Sequence, residues 1–248
     1  MQDKPTLDDT LALMRDLRAR CEWDAAQTHE SLRPYLIEEA YEADEALRSG
    51  DDAAMREELG DLLLQVVFHS VVAEERGAFD ASEVAGSLIA KMRRRHPHLY
   101  EGGERQPWER MKAAKRGSIA EGLPVELPAL HRAHRLQDRA AGVGFDWPDV
   151  AGPLEKVGEE LDEVREVLDA APERLEAELG DLLFAVVNLC RKAGVHASLA
   201  LDKANAKFAQ RFGEVERLAA ERGIEVGTAG LAQLDALWDE VKRSEARA

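Results

Sequence analysis

Glu39 and Glu42 stand three residues apart, and so do Glu58 and Asp61. On a helix that spacing puts both carboxylates of a pair on one face. Only a short turn, Ser49-Gly50-Asp51-Asp52, separates the pairs, so two antiparallel helices are expected to bring the four acids together. Glu160, Glu163, Glu178 and Asp181 repeat the pattern. Carboxylates crowded beside apolar surface repel, and their pKa values rise until some are neutral. A hard divalent cation removes the conflict. Magnesium and manganese take oxygen ligands, and magnesium keeps waters and bridges to substrate phosphates. Neither half offers the Glu-x-x-His partner of a di-iron bundle. One acidic pair is ordinarily a solvated helix face. Two pairs on neighbouring helices, repeated with Leu-Gly-Asp identical, argue for a site.

Cations supply the complementary chemistry. Lys203, Lys207 and Arg211 follow one another at i+4 spacing, and Asn205 is read into the same rail. The first half has Lys91 and Arg93-Arg94-Arg95 before Pro97. A carboxylate-held metal facing a basic rail suits a polyphosphate, because the cations neutralise the oxygens that the metal leaves free. No glycine-rich phosphate loop of the Walker type occurs. His29, His69, His131, His134 and His196 are scattered without metal spacing, and core or surface roles are expected for them. Cys21 and Cys190 lack a partnered histidine and are expected as buried apolar residues.

Helices must position these groups. Residues 58–67 read ELGDLLLQVV and residues 178–187 read ELGDLLFAVV, so one supersecondary unit is used twice. Apolar spacing predicts helices over 6–20, 31–48, 53–76 and 81–95, then 128–140, 151–169, 173–193, 197–222 and 230–245. The expected fold is all-α, with helical halves at 1–100 and 127–248 and a linker at 101–126 rich in Gly and Pro. The helix over 59–72 is apolar on every side, from Leu59, Leu62 and Leu63 round to Leu64, Phe68 and Val71. Such a helix is buried on both sides, which one hairpin cannot achieve, so a homodimer is expected.

The 248 residues carry a net charge of −16, which excludes general binding to a nucleic-acid polymer or an anionic membrane. The longest uncharged apolar stretch, Leu62 to Ala73, is too short to span a bilayer. The first residues show no secretory signal, and a cytoplasmic protein with reduced thiols is expected.

Taken together, Cys21-Glu22-Trp23-Asp24, Gln27-Thr28, the two Glu/Asp pairs, Arg95-His96-Pro97-His98, Val143-Gly144-Phe145-Asp146-Trp147 and the Lys203–Arg211 segment resemble MazG, the tandem-domain nucleoside triphosphate pyrophosphohydrolase family. Glu22 departs from the proline usual there. The resemblance implies the all-α NTP pyrophosphatase fold, a dimer, and Mg-dependent cleavage of a nucleoside triphosphate to monophosphate and pyrophosphate. It implies metal ligands at Glu160, Glu163, Glu178 and Asp181, with first-half equivalents Glu39, Glu42, Glu58 and Asp61. It puts nucleotide contacts on Lys156, Arg174, Lys207, Arg211 and Trp238, with Lys203 and Asn205 in the same motif. A metal-activated water would attack the α-phosphorus while Lys207 and Arg211 stabilise the departing charge. Trp238 would stack on the base, which favours broad specificity. The alternatives are a narrow dUTP or dCTP pyrophosphatase, and a metal-binding helical partner protein without turnover. The second half, with its complete rail and Trp238, is the expected catalytic one.

Overall fold

The computed structural model describes residues 4–100, 102 and 117–245. Of the expected linker, residues 101 and 103–116 lie outside the described residues. The chain divides into two compact units, Met1–Arg105 and Gln106–Ala248. Among the described residues there is no strand, and no single helix is long and apolar enough to cross a membrane.

The first unit comprises α1 (Leu7–Arg20), α2 (Glu22–Ala26), α3 (His29–Ser49), α4 (Asp52–Glu75), α5 (Ala81–Arg95) and α6 (Pro97–Tyr100). Local chemistry sets the helix starts. Thr6 and Asp9, Thr28 and Ser31, and Asp80 and Glu83 each exchange side-chain and backbone bonds across a first turn. Gly50 ends α3 in the left-handed region at φ 71°, a conformation that costs glycine least. Asp51 then caps α4 by accepting from Ala53 N at 2.8 Å. This tight turn holds α3 and α4 as an antiparallel hairpin. Met14 of α1, Leu32 of α3, and Val67, Phe68, Val71 and Val72 of α4 form the core. Truncating a buried phenylalanine such as Phe68 to alanine typically costs about 3–5 kcal/mol.

The expected two-sided burial of the 59–72 helix is met on one side only. Phe68 is 3% exposed, whereas Leu59 and Val66 are 51% exposed in this chain. Within the first unit, α3 and α1 cover one flank of α4, and among the described residues Leu59 and Val66 on the other flank stay exposed.

The second unit comprises α7 (Ala129–Gly142), α8 (Ala151–Ala170), a 3-10 turn (Pro172–Arg174), α9 (Leu175–Lys192), α10 (Ala197–Glu221) and α11 (Leu231–Glu245). The single helix expected over 173–193 therefore starts later, because the turn at Pro172 tightens to i→i+3 bonding before α9 begins. α8 and α9 form the hairpin that corresponds to α3 and α4. Val215 and Ala219 of α10 pack on Leu237 and Val241 of α11. Arg139 of α7 donates to Ile119 O at 2.8 Å and Glu121 O at 2.9 Å, fastening the preceding segment to this unit. Cys21 and Cys190 are free and half-buried, not fully buried as expected.

The scattered histidines are gathered by the fold. His131 and His134 of α7 meet His196 at the start of α10, with ring centroids 5.1 and 4.4 Å from it. His29 and His69 approach Nδ1 to Nδ1 at 2.8 Å. Burial first, then the neighbouring His196 and Arg135, hold His131 below the ordinary imidazole range. His134 is lowered by burial against the opposing pull of Asp138, with His196, Arg135 and Arg191 adding to the depression. In the fold these rings take up protons at a lower pH than in the unfolded chain, where uptake lies near pH 6.5. Stability from them is complete above that pH and is lost as pH falls from it toward the lowered folded value. The melting temperature is expected to drop between pH 7 and 5.5, and His131→Gln with His134→Gln should flatten that slope. An unchanged slope in the double variant would assign the loss to other groups.

Candidate active site

Each hairpin gathers three carboxylates. In the α3–α4 hairpin, Glu39, Glu58 and Asp61 offer oxygens that all lie within 4.8 Å of one another, and all three residues are half-buried. Burial, followed by repulsion from Asp61, Glu42 and Glu58, raises the Glu39 carboxyl above its usual range. Glu58 is raised in the same way by burial, Glu42 and Asp61.

In the α8–α9 hairpin the trio is Glu160, Glu178 and Asp181, again with oxygens within 4.8 Å. Glu160 is 6% and Glu178 7% exposed. Glu42 and Glu163 lie outside the trios and are exposed, although both are close enough to act on them electrostatically. The Glu163 carboxyl is raised above its usual range, first by the charge of Glu160 and then by burial. The structure thus brings together three of the four acids expected in each half.

Two cations sit on the second trio. Lys156 Nζ lies 2.7 Å from Glu160 Oε1 and 3.1 Å from Glu159 Oε2. Bonds from Glu160 first and Glu159 second raise the Lys156 ammonium above its ordinary value. Arg174 Nη2 donates to Glu178 Oε1 at 2.5 Å. Lys156 with Glu160, and Arg174 with Glu178, are i,i+4 pairs, so local helix geometry fixes both. Glu160 Oε2, by contrast, is buried and has no hydrogen-bond partner. An orphaned buried carboxylate oxygen is costly. Here it belongs to an all-oxygen donor set, the chemistry a hard divalent cation requires. The residues fit such an ion.

The basic rail is carried by α10. Lys203 and Lys207 are exposed on α10. Arg211 bonds to Glu245 of α11 through Nη2 at 2.7 Å and Nε at 2.9 Å. Its guanidinium lies 5.9 Å from the Trp238 ring centroid, and Phe208 lies 5.3 Å from the same ring. The polar contacts of Arg211 therefore run to α11, not to the carboxylate trio. α10 is continuous through this segment, so Asn205, two residues from both Lys203 and Lys207, points to the opposite face. The reading that placed it in the rail is corrected by helical phase.

Residues 27–100 and 153–215 match the MazG nucleotide pyrophosphohydrolase domain. The chain belongs to the MazG family. It is 45% identical over 245 residues to the nucleoside triphosphate pyrophosphohydrolase/pyrophosphatase MazG of Thermotoga maritima, covering 95% of each chain. It is 42% identical to the nucleoside triphosphate pyrophosphohydrolase of Escherichia coli K12, covering 96% of this chain and 98% of that one. A Bacillus subtilis protein, the uncharacterized YabN, is 41% identical over 95% of this chain and 51% of its own length. Each MazG match contains one carboxylate trio, and the second also contains Lys203, Lys207 and Arg211. Trp238 lies beyond both matched segments.

The motif Gly144-Phe145-Asp146-Trp147, which sequence reading left without a role, is anchored by charge. Asp146 accepts from Arg191, and from Lys192 Nζ at 3.0 Å. Burial acts to raise the Asp146 carboxyl, but these bonds outweigh it and hold the group below its usual range.

Proposed function

We infer that the chain hydrolyses nucleoside triphosphates to monophosphate and pyrophosphate at the Glu160, Glu178 and Asp181 site of the second unit, with magnesium as the resident ion. The supporting observation is the pair of buried glutamates with one orphaned oxygen, flanked by Lys156 and Arg174. In the reaction a water oxygen bonds to the α-phosphorus, the bond from that phosphorus to the bridging oxygen breaks, and pyrophosphate leaves. Magnesium held by the trio would withdraw electron density from the phosphate oxygens and favour the attack. Glu160 and Glu178 are the buried members of the trio, and Asp181 is exposed. Lys156 and Arg174 reach the site on flexible stems and neutralise phosphate oxygens once their carboxylates have another partner. Lys207 and Arg211 add positive charge for the phosphates that extend beyond the trio. Broad acceptance of bases is expected, since stacking discriminates little among them.

Incubation with Mg2+ and ATP, read by 31P NMR, should yield AMP and pyrophosphate. ADP and phosphate would overturn this assignment. Excess EDTA should abolish turnover, and added Mg2+ should restore it. Full activity in the chelator would remove the metal from the reaction. The uncovered faces of α4 and α9, with Leu59 and Val66 on one and Leu183 and Phe184 on the other, support a homodimer. Sedimentation equilibrium at twice the chain mass is the expected result.

A further inference from the structure

Imidazoles meet where α7 packs on the start of α10. His131 and His134 share one face of α7 at i,i+3, and His196 is the N-cap residue of α10. The His131 and His134 ring centroids lie 5.1 and 4.4 Å from that of His196. We propose that these rings form a pH-operated latch in the second unit: neutral, His131 and His134 close α7 on His196, and protonated they part from it and loosen the seat of α7 on α9. The link to turnover rests on the Glu160, Glu178 and Asp181 site being the catalytic one.

Burial makes the contact sensitive to protons. Nδ1 of His134 and Nδ1 of His196 are both shut off from solvent and have no hydrogen-bond partner. A neutral imidazole can leave one nitrogen as a bare lone pair. An imidazolium carries a hydrogen on both nitrogens, so protonating His134 in the closed state buries a charged donor with nothing to accept from it. Water reaches that nitrogen only when α7 moves off α10, so proton uptake and local opening come together.

The surrounding charges do not relieve this. The groups that act on the two rings are Arg135 and Asp138 from α7, Arg191 from α9 and His196 from α10. Asp138 is the acid of that set. It lies 3.7 Å from His134 Nε2 and is already bonded to Arg135 at 2.8 Å. Arg191 is paired with Asp146 of the loop after α7. The first turn of α10 adds the positive end of its dipole. A proton on either ring therefore meets repulsion as well as burial.

The latch reaches the acid trio through α9. Gln137 of α7 donates from its side-chain nitrogen to Phe184 O at 2.8 Å. Gln137 stands one turn from His134, and Phe184 one turn from Asp181. A displacement that begins at the histidines thus acts directly on the helix that carries Glu178 and Asp181.

Amide hydrogen exchange of the full-length chain at pH 7.0 and 5.5, corrected for the intrinsic pH dependence of exchange, reads the latch without turnover. At pH 5.5 the α7 amides are expected to lose protection about tenfold, the scale of one unsatisfied buried donor. α11, whose Leu237 and Val241 pack on Val215 and Ala219 of α10, should keep its protection. His131→Gln with His134→Gln cannot take up the protons and should remove the loss. It should also keep about threefold more of its pH 7.0 pyrophosphate release at pH 5.5 than the wild type does. Each single substitution is expected to remove part of the loss, so the reading stands even where the double variant does not fold. A wild-type α7 equally protected at both pH values overturns the latch, whatever the turnover. Loosening that the substitutions leave in place belongs to other groups and overturns it as well. Loosening that they remove, without any change in the pH dependence of turnover, overturns the link to the reaction. Loosening that they remove, in a chain that releases no pyrophosphate at either pH, keeps the latch and overturns the hydrolase.

Discussion

Glu178→Ala should abolish pyrophosphate release, lowering kcat by about 10³-fold or more, the scale expected when charge stabilisation of the transition state is lost. The substitution removes one of three carboxylates whose oxygens lie within 4.8 Å of each other. It also strips Arg174 of its partner. Glu178→Gln separates these effects, since the amide oxygen still accepts from Arg174 while the negative charge is gone. Both variants should lose magnesium uptake in calorimetry. Glu58→Ala, in the first unit, should lower turnover far less. The units differ in two respects that decide this. Glu160 and Glu178 are buried where Glu39 and Glu58 are half-buried, and Lys156 and Arg174 accompany only the second trio. A collapse of activity in Glu58→Ala with activity retained in Glu178→Ala would move the reaction to the first unit.

Asp146→Ala should cost about 1–2 kcal/mol of stability, between the scale of an exposed ion pair and that of a buried one. The carboxylate holds Arg191, with a side chain 10% exposed, and Lys192 at 18%. Both cations lie half-buried at the end of α9, and the loss takes this partner from Lys192 and leaves Arg191 its bonds to Asn188. The pH dependence follows from the lowered pKa. The contribution is complete above the ordinary aspartate value and is lost as pH falls through the depressed folded value. Urea denaturation at pH 7 measures the loss. A change below about 0.5 kcal/mol, the scale of an ordinary surface substitution, would make Asp146 a surface residue in energetic terms.

What could be read in advance was local. The acid pairs at i,i+3 and the cap at Asp51 depend on a few neighbouring residues, and both hairpins formed around them. The duplicated ELGDLL segment announced the two units for the same reason. Which three of the four acids stand closest was not legible, because it depends on the rotational phase of two packed helices. Asn205 shows a different failure. Its polar character suits the rail, but a residue two positions from both lysines lies on the opposite face of a continuous helix. The histidine cluster joins residues about sixty positions apart, and no spacing rule reaches that far. Gln137 carried no signal at all, since its bond to Phe184 O at 2.8 Å depends on how α7 packs on α9.

Lys156 and Arg174 give the second hairpin internal counter-ions. On the proposed reading, a divalent ion entering the cage would exchange for two single positive charges, and those two would be released at the spot where phosphates arrive. Folding has already met the entropic cost of gathering them, so metal and nucleotide would reinforce one another's capture. The second hairpin would then behave as a coincidence detector.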